Sequence, residues 1–145
     1  MIILDTNVVS ELMKPRPNAA VLEWLTGQSR DSLRTTSITK AEILYGVVRL
    51  PDGRRKADLA AETQRMFRED FPEPALAFDD AATPYYAEIL GARRRAGRPM
   101  TSLDAQIAAI AAANSAAVAT RNVSDFDGCG VKVIDPWAAP WSAPG

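Results

Sequence analysis

Asp5, Glu42, Asp104, Asn122 and Asp125 are the side chains of this sequence whose types and placing invite chemistry. Asp5 ends the apolar run Ile2-Ile3-Leu4, and Thr6 puts a hydroxyl beside it. Glu42 and Asp104 each fall in what reads as the first turn of a helix. Asn122 and Asp125 follow a run of small apolar residues that ends at Thr120. If the apolar runs are parallel strands, their carboxyl ends and the helix starts that follow share one edge of a sheet, where open α/β folds place their ligands. Two carboxylates about 5 Å apart repel by roughly 3 kcal/mol at an effective dielectric of about 20. A cluster of them therefore raises its own pKa values or recruits a cation. Oxygen ligands without His or Cys select a hard ion, Mg²⁺ or Mn²⁺. Such an ion can hold a phosphodiester oxygen, deliver an activated water and stabilise the leaving oxygen.

Local structure offers a competing account of each acid. Asp5 or Thr6 can cap the helix that follows, since Asp, Thr and Asn are all favoured at that position. Thr39-x-x-Glu42 and Thr101-x-x-Asp104 both fit the capping-box pattern. Helical spacing tells against capping alone. Asp104 shares a helical side with the apolar Ile107 and Ala108, and Glu42 aligns with Gly46, which leaves space above it.

Composition narrows the chemistry. The sequence has no histidine, which excludes Ser-His-Asp and Cys-His nucleophiles, His-ligated zinc and histidine-based acid–base cleavage. Cys129 is the only cysteine, so neither an intrachain disulfide nor a thiolate metal cluster is available. A length of 145 residues with 47% apolar content is that of one soluble globular domain. No apolar run approaches the roughly 20 residues needed to span a bilayer, and the first residues lack the pattern of a signal peptide. A cytoplasmic protein is the expectation.

Strands and helices alternate along the chain, which indicates an α/β fold with a mostly parallel central sheet flanked by helices. A buried strand at Ile2–Leu4 precedes a short helix over Asn7–Met13, and Asn18 caps a second helix on which Val21, Leu22 and Leu25 share a face. Leu33–Thr36 reads as the second strand. Ile43, Leu44, Val47 and Leu50 recur at helical spacing and predict a buried stripe. Arg54–Asp70 is a charged amphipathic helix packing through Leu59, Met66 and Phe67, and Ala75–Phe78 a short strand. Asp79 or Asp80 then caps a helix over about residues 81–96. An alanine-rich helix with Leu103, Ile107 and Ile110 on one face runs to about Asn114. Strands at Ala117–Thr120 and Val131–Ile134 complete a domain over residues 1–137, and residues 138–145 form a tail rich in Pro and Ala. Arg93, Arg94, Arg95 and Arg98 crowd the end of one helix. The helix dipole accounts for part of that crowding, and contact with phosphate groups is a candidate role for the rest.

Four segments taken together carry a family resemblance. They are Ile3-Leu4-Asp5-Thr6-Asn7, Thr39-Lys40-Ala41-Glu42-Ile43-Leu44-Tyr45-Gly46, Ser102-Leu103-Asp104-Ala105-Gln106-Ile107-Ala108-Ala109, and Thr120-Arg121-Asn122-Val123-Ser124-Asp125-Phe126. Their order and spacing resemble the PIN-domain ribonucleases, in particular the FitB-like branch of the VapC toxins. The resemblance implies a Mg²⁺-dependent endoribonuclease (Mn²⁺ substituting) that forms a homodimer, cuts RNA and is neutralised by a cognate antitoxin. Carried over by motif, Asp5 and Asp104 are the main metal ligands, Glu42 is the third acid, and Thr6 orients the first acid or a bound water. The family's fourth acidic position is Asn122 here, which puts a second metal site in doubt. Asp125 either substitutes for it or orders the loop. The alternative is a non-catalytic, dimeric partner-binding module that keeps the fold. A haloacid-dehalogenase-type phosphatase also opens with a strand ending in Asp, but needs a second Asp where this sequence has Asn7.

Overall fold

The computed structural model describes residues 1–71 and 73–138. Four strands form one parallel sheet in the order β2-β1-β3-β4: β1 (Ile2–Leu4), β2 (Leu33–Arg34), β3 (Ala117–Ala119) and β4 (Val133–Ile134). The helices are α1 (Thr6–Leu12), α2 (Ala19–Thr26), α3 (Ser37–Val48), α4 (Arg54–Glu69), α5 (Thr83–Arg95), α6 (Ser102–Ala113) and the short α7 (Val123–Phe126).

The central strands are apolar throughout because both faces of the sheet are covered. Ile3 and Val118 point to one side, into a core with Ile89 of α5 and Ile107 and Ile110 of α6. Leu4 and Ala119 point to the other, against Val8 and Val9 of α1, Val21 and Trp24 of α2, Ile43 of α3 and Met66 of α4. The small residues of α6 have a packing reason. Ala105, Ala108, Ala109 and Ala111 are buried between α5 and the sheet, where larger side chains would hold the layers apart.

Helix starts follow local rules. Asn18 Oδ1 accepts from the amides of Ala20 and Val21, as a cap should. Asp79 caps a 3₁₀ turn at Asp80–Ala82, and α5 begins only after it, with Pro84 where a missing N–H costs nothing.

Three expectations change. The strand at Ala75–Phe78 reduces to one bridge between Leu76 and Thr36, because Ser37 already begins a helix and ends the ladder. Leu44 and Leu103, expected on buried stripes, are 40% and 46% exposed. The buried row of α3 is Thr39, Ile43 and Val47 at i, i+4, i+8, which turns Leu44 outward, and in α6 the buried residues begin only at Ala105, after Leu103. Leu22 is exposed for the same reason, with Val21 and Trp24 taking the inward positions of α2. Trp141 and the rest of the expected tail beyond Ala138 lie outside the described residues.

If α6 is packed as tightly as its alanines indicate, Ala108→Leu should lose about 1–3 kcal/mol through overpacking, read as a lower urea midpoint at unchanged slope. An unchanged midpoint would mean that the α6–sheet interface has slack.

Candidate active site

The parallel register of β1 on β3 builds the site. Leu4 pairs with Ala119, so the next residues, Asp5 and Thr120, emerge side by side at the carboxyl edge. The Asp5 amide completes the ladder by donating to the Ala119 carbonyl at 2.9 Å. The Asp5 side chain is 6% exposed. Its Oδ1 accepts from the Thr6 amide at 2.8 Å, and its Oδ2 accepts from the Thr120 hydroxyl at 2.9 Å and from Asn7 Nδ2 at 3.4 Å. Asp5 is thus the cap of α1 and a candidate ligand at once. A carboxylate has about four acceptor sites, and the three donors here leave room for an outside partner.

Asn7 and Thr120 belong to the site although neither is a candidate from sequence. Asn7 Nδ2 also donates to Thr120 Oγ1 at 3.2 Å, and Asn7 Oδ1 accepts from the Arg121 amide at 3.2 Å. Thr120 Oγ1 further accepts from the Asn122 amide at 3.1 Å. The two side chains therefore tie the start of α1 to the segment after β3. The available signal was positional: Thr120 ends β3 as Asp5 ends β1.

Glu42 reaches the site from α3. The cap of α3 is Thr36, whose hydroxyl accepts from the Thr39 amide, so Glu42 stands in the second turn and the Thr39-x-x-Glu42 capping box does not form. Its Oε1 instead accepts from Thr6 Oγ1 at 3.0 Å, and Thr6 and Thr39 hydroxyls lie 3.1 Å apart. Gly46, one turn along, has open space where a side chain would begin. Asp104 does occupy the first turn of its helix, with Thr101 as cap. It is half-buried and near enough to Asp5 for its charge to raise that carboxyl. Asp125 lies exposed in α7 and close enough to Asp104 to repel it, and Asn122 precedes α7.

The electrostatics follow from this packing. Burial pushes the Asp5 carboxyl above its ordinary range, with the charges of Asp104 and Glu42 adding to the rise; the Thr6 amide and Thr120 hydroxyl oppose it. Burial likewise raises Asp104, helped by Asp125 and opposed by Thr101 and Arg93. Acids held this way are poised for a cation. Among the described residues, no three of Asp, Glu, His and Cys surround a single point closely enough to form a complete cage. That still fits Mg²⁺, which binds through one or two carboxylates and keeps its remaining positions for water and phosphate. The donor set is all oxygen, so the fit is to a hard ion.

The arginine cluster divides. Arg94 and Arg95 are exposed, and Arg98 pairs with Asp127 at 2.8 Å. Arg93, expected to be free for RNA, is only 6% exposed and is bound to backbone carbonyls. Those bonds commit its Nε and Nη1 to the protein's own backbone. A cleft of about 660 Å³ opens beside Thr6 and Glu42, walled by Met13, Tyr45 and Leu103. A larger cavity of about 1490 Å³ lies at the opposite, amino edge of β1 and β3, away from the clustered acids.

The sign of the Asp5 shift sets a pH test. A raised carboxyl pKa means that ionised Asp5 is less favourable in the folded chain than in the unfolded one. The cost is full above the folded pKa and fades as pH falls through it towards the ordinary range. Asp5→Asn should therefore be as stable as the parent or more so at neutral pH, with the gain shrinking in acid. Calorimetry across pH reads this directly. A variant less stable at neutral pH would mean that the bonds from Thr120 and Asn7 outweigh the burial.

Comparison with known proteins agrees with this geometry. The PIN domain model matches residues 2–127. The chain is 42% identical over 139 residues to the plasmid stability protein StbB of Pseudomonas syringae pv. tomato, covering 96% of this chain and 100% of that one. It is 36% identical over 137 residues to the VapC ribonuclease Y4jK of Sinorhizobium fredii, covering 94% and 98%. Its fold is similar to that in the crystal structure of FitAcB from Neisseria gonorrhoeae, with a TM-score of 0.89 at 34% identity over 96% of this chain and 100% of that one. With the acids gathered at one edge of a fully parallel sheet and a match of this extent, the chain belongs to the PIN-domain family.

Proposed function

We propose that the chain is a divalent-metal-dependent endoribonuclease acting as the toxin of a toxin–antitoxin pair, with Mg²⁺ as its ion and Mn²⁺ able to substitute. The observation that carries the reading is the burial of Asp5 beside Asp104 and Glu42, which makes ionisation of Asp5 less favourable than in water and so favours a cation. Capping α1 needs Asp5 alone, whereas the approach of Asp104 and Glu42 to it is what a cation site requires. The relatives support the biological role: one is named a VapC ribonuclease and another Toxin FitB, and the FitAB structure is described as bound to a DNA fragment.

Asp5 and Asp104 are the residues that would hold the ion, with Glu42 near enough to act directly or through water. The ion when bound would neutralise phosphate charge and make a water more acidic. The chain's own residues do the rest. Thr6 donates to one oxygen of Glu42 and so leaves the other to hold or deprotonate a water. Thr120 and Asn7 fix the Asp5 carboxylate in one orientation. Arg94 and Arg95 are the exposed cations left to meet RNA phosphates. A cognate antitoxin and a second copy of the chain are the proposed partners.

Asp104→Asn and Asp5→Asn should each lower RNA cleavage by at least about 100-fold while the far-ultraviolet circular dichroism stays that of the parent. Undiminished cleavage by either would remove the acids from the chemistry.

The proposed nucleophile sets the products. With water rather than a ribose 2′-hydroxyl as the attacking group, cleavage should leave a 5′-phosphate and a 3′-hydroxyl. EDTA should stop the reaction and Mg²⁺ or Mn²⁺ restore it, and a 2′-deoxy sugar at the cut should be tolerated. A 2′,3′-cyclic phosphate on the product would overturn this mechanism.

A further inference from the structure

Arg93 is a buried cation that forms none of the ion pairs found among the described residues. Its guanidinium donates instead to three carbonyls: from Nε to Arg98 at 2.6 Å, and from Nη1 to Asp125 at 3.0 Å and Asp127 at 2.6 Å. Burying a charge against neutral carbonyls is costly, so the arrangement calls for a reason beyond holding α5 in place.

The reason lies in what those carbonyls belong to. Asp125 and Asp127 flank Phe126, which is buried in the core. One buried ring sets the depth of this turn but leaves it free to pivot about the ring. Two flanking carbonyls converging on one guanidinium remove that pivot. At its other end the same segment is fixed by Thr120 and Asn7, through the amides of Asn122 and Arg121. Arg98 adds an outer clasp, donating to the Ser124 carbonyl at 3.2 Å and to Asp127 Oδ2 at 2.8 Å.

We propose that Arg93 is a positioning residue for the active site: it locks the backbone of α7 so that Asp125 stands at a fixed distance from Asp104. The proposal rests on the ribonuclease reading. Arg93 touches no substrate and acts through the segment it holds. Lysine cannot replace it, because a single ammonium cannot serve both the Nε-side and the Nη1-side acceptors of a planar fork.

The test is Arg93→Lys, which keeps the charge and removes the fork. RNA cleavage should lose about tenfold in kcat with KM moving less than about twofold, as expected for misplacement rather than lost binding. Amides of residues 122–127 should exchange hydrogen faster while those of β1 and β3 keep their protection. In an Asp125→Ala background the same substitution should cost less than about twofold in kcat, because the group it positions is gone. Should Arg93→Lys fail to fold, Arg93→Gln, which also removes the fork, should lower kcat by at least as much. Unchanged kcat in whichever of the two variants folds would reduce Arg93 to a stabilising residue. A raised KM at constant kcat would return it to phosphate binding. A full tenfold loss persisting without Asp125 would show that it acts elsewhere. A parent protein that cuts no RNA would fail the ribonuclease reading itself, whereas an active parent matched by an equally active Arg93→Lys fails this inference alone.

Discussion

A carboxylate set at the end of a buried strand is the constraint from which the rest of this structure follows. Asp5 cannot retreat to solvent, because Leu4 before it is packed in the core and its own amide is committed to the Ala119 carbonyl. Donors must therefore come to it. The strand pairing supplies Thr120, the start of α1 supplies the Thr6 amide, and Asn7 closes the third side. These three bonds stabilise the charge only in part, since burial remains the larger influence and the acid stays raised. The surrounding segments serve this one group, and the fold gains little stability from it in return.

The same logic reaches outward. Thr6 donates its amide to Asp5 and its hydroxyl to Glu42, so one residue sets the relation between two acids on different helices. Thr120 does the equivalent for β3, accepting from Asn122 while donating to Asp5. Hydroxyl groups suit such posts because each can donate once and accept as well. The site is thus a network in which neutral groups space the charged ones, rather than a row of opposed ion pairs. A network of that kind resists rearrangement, because each hydroxyl that moves leaves two partners unsatisfied.

How much of this was legible in the sequence depended on whether the information was local. The strand ends at Asp5 and Thr120, the helix start at Asp104 and the cap at Asn18 follow from apolar runs and capping chemistry, and the structure has them. Glu42 was placed one turn too early, because Thr39 and Thr36 both look like caps and only tertiary packing of Thr39 against Thr6 decides between them. Thr120 and Asn7 escaped notice as site residues because their bond spans 113 positions, and nothing in a single sequence reports that pairing. Arg93 was misread for a different reason. Four arginines near a helix end look alike in charge, yet Arg93 follows Ile89 by four residues and so continues the buried face of α5. Spacing could have separated it from its neighbours, whereas composition could not.

An acidic edge built this way has an electrostatic consequence for any nucleic acid. The backbone of RNA and the acids of the site carry the same sign, and the chain as a whole carries a formal net charge of −1. Approach is therefore opposed where catalysis has to occur, and surface arginines alone would draw RNA to the rim rather than to Asp5. A divalent cation resolves the conflict at the point where it arises, since it satisfies the acids and attracts the phosphate together. No imidazole is available to carry charge to the scissile phosphate, and the cations that line the cleft, Lys14 and Arg49, belong to its wall with Met13 and Tyr45. Arg93, the nearest buried cation, is spent on three carbonyls. Its charge reaches Asp104 through space. At Asp5 itself the protein supplies geometry and negative charge, and a bound divalent ion would add the attraction for substrate there.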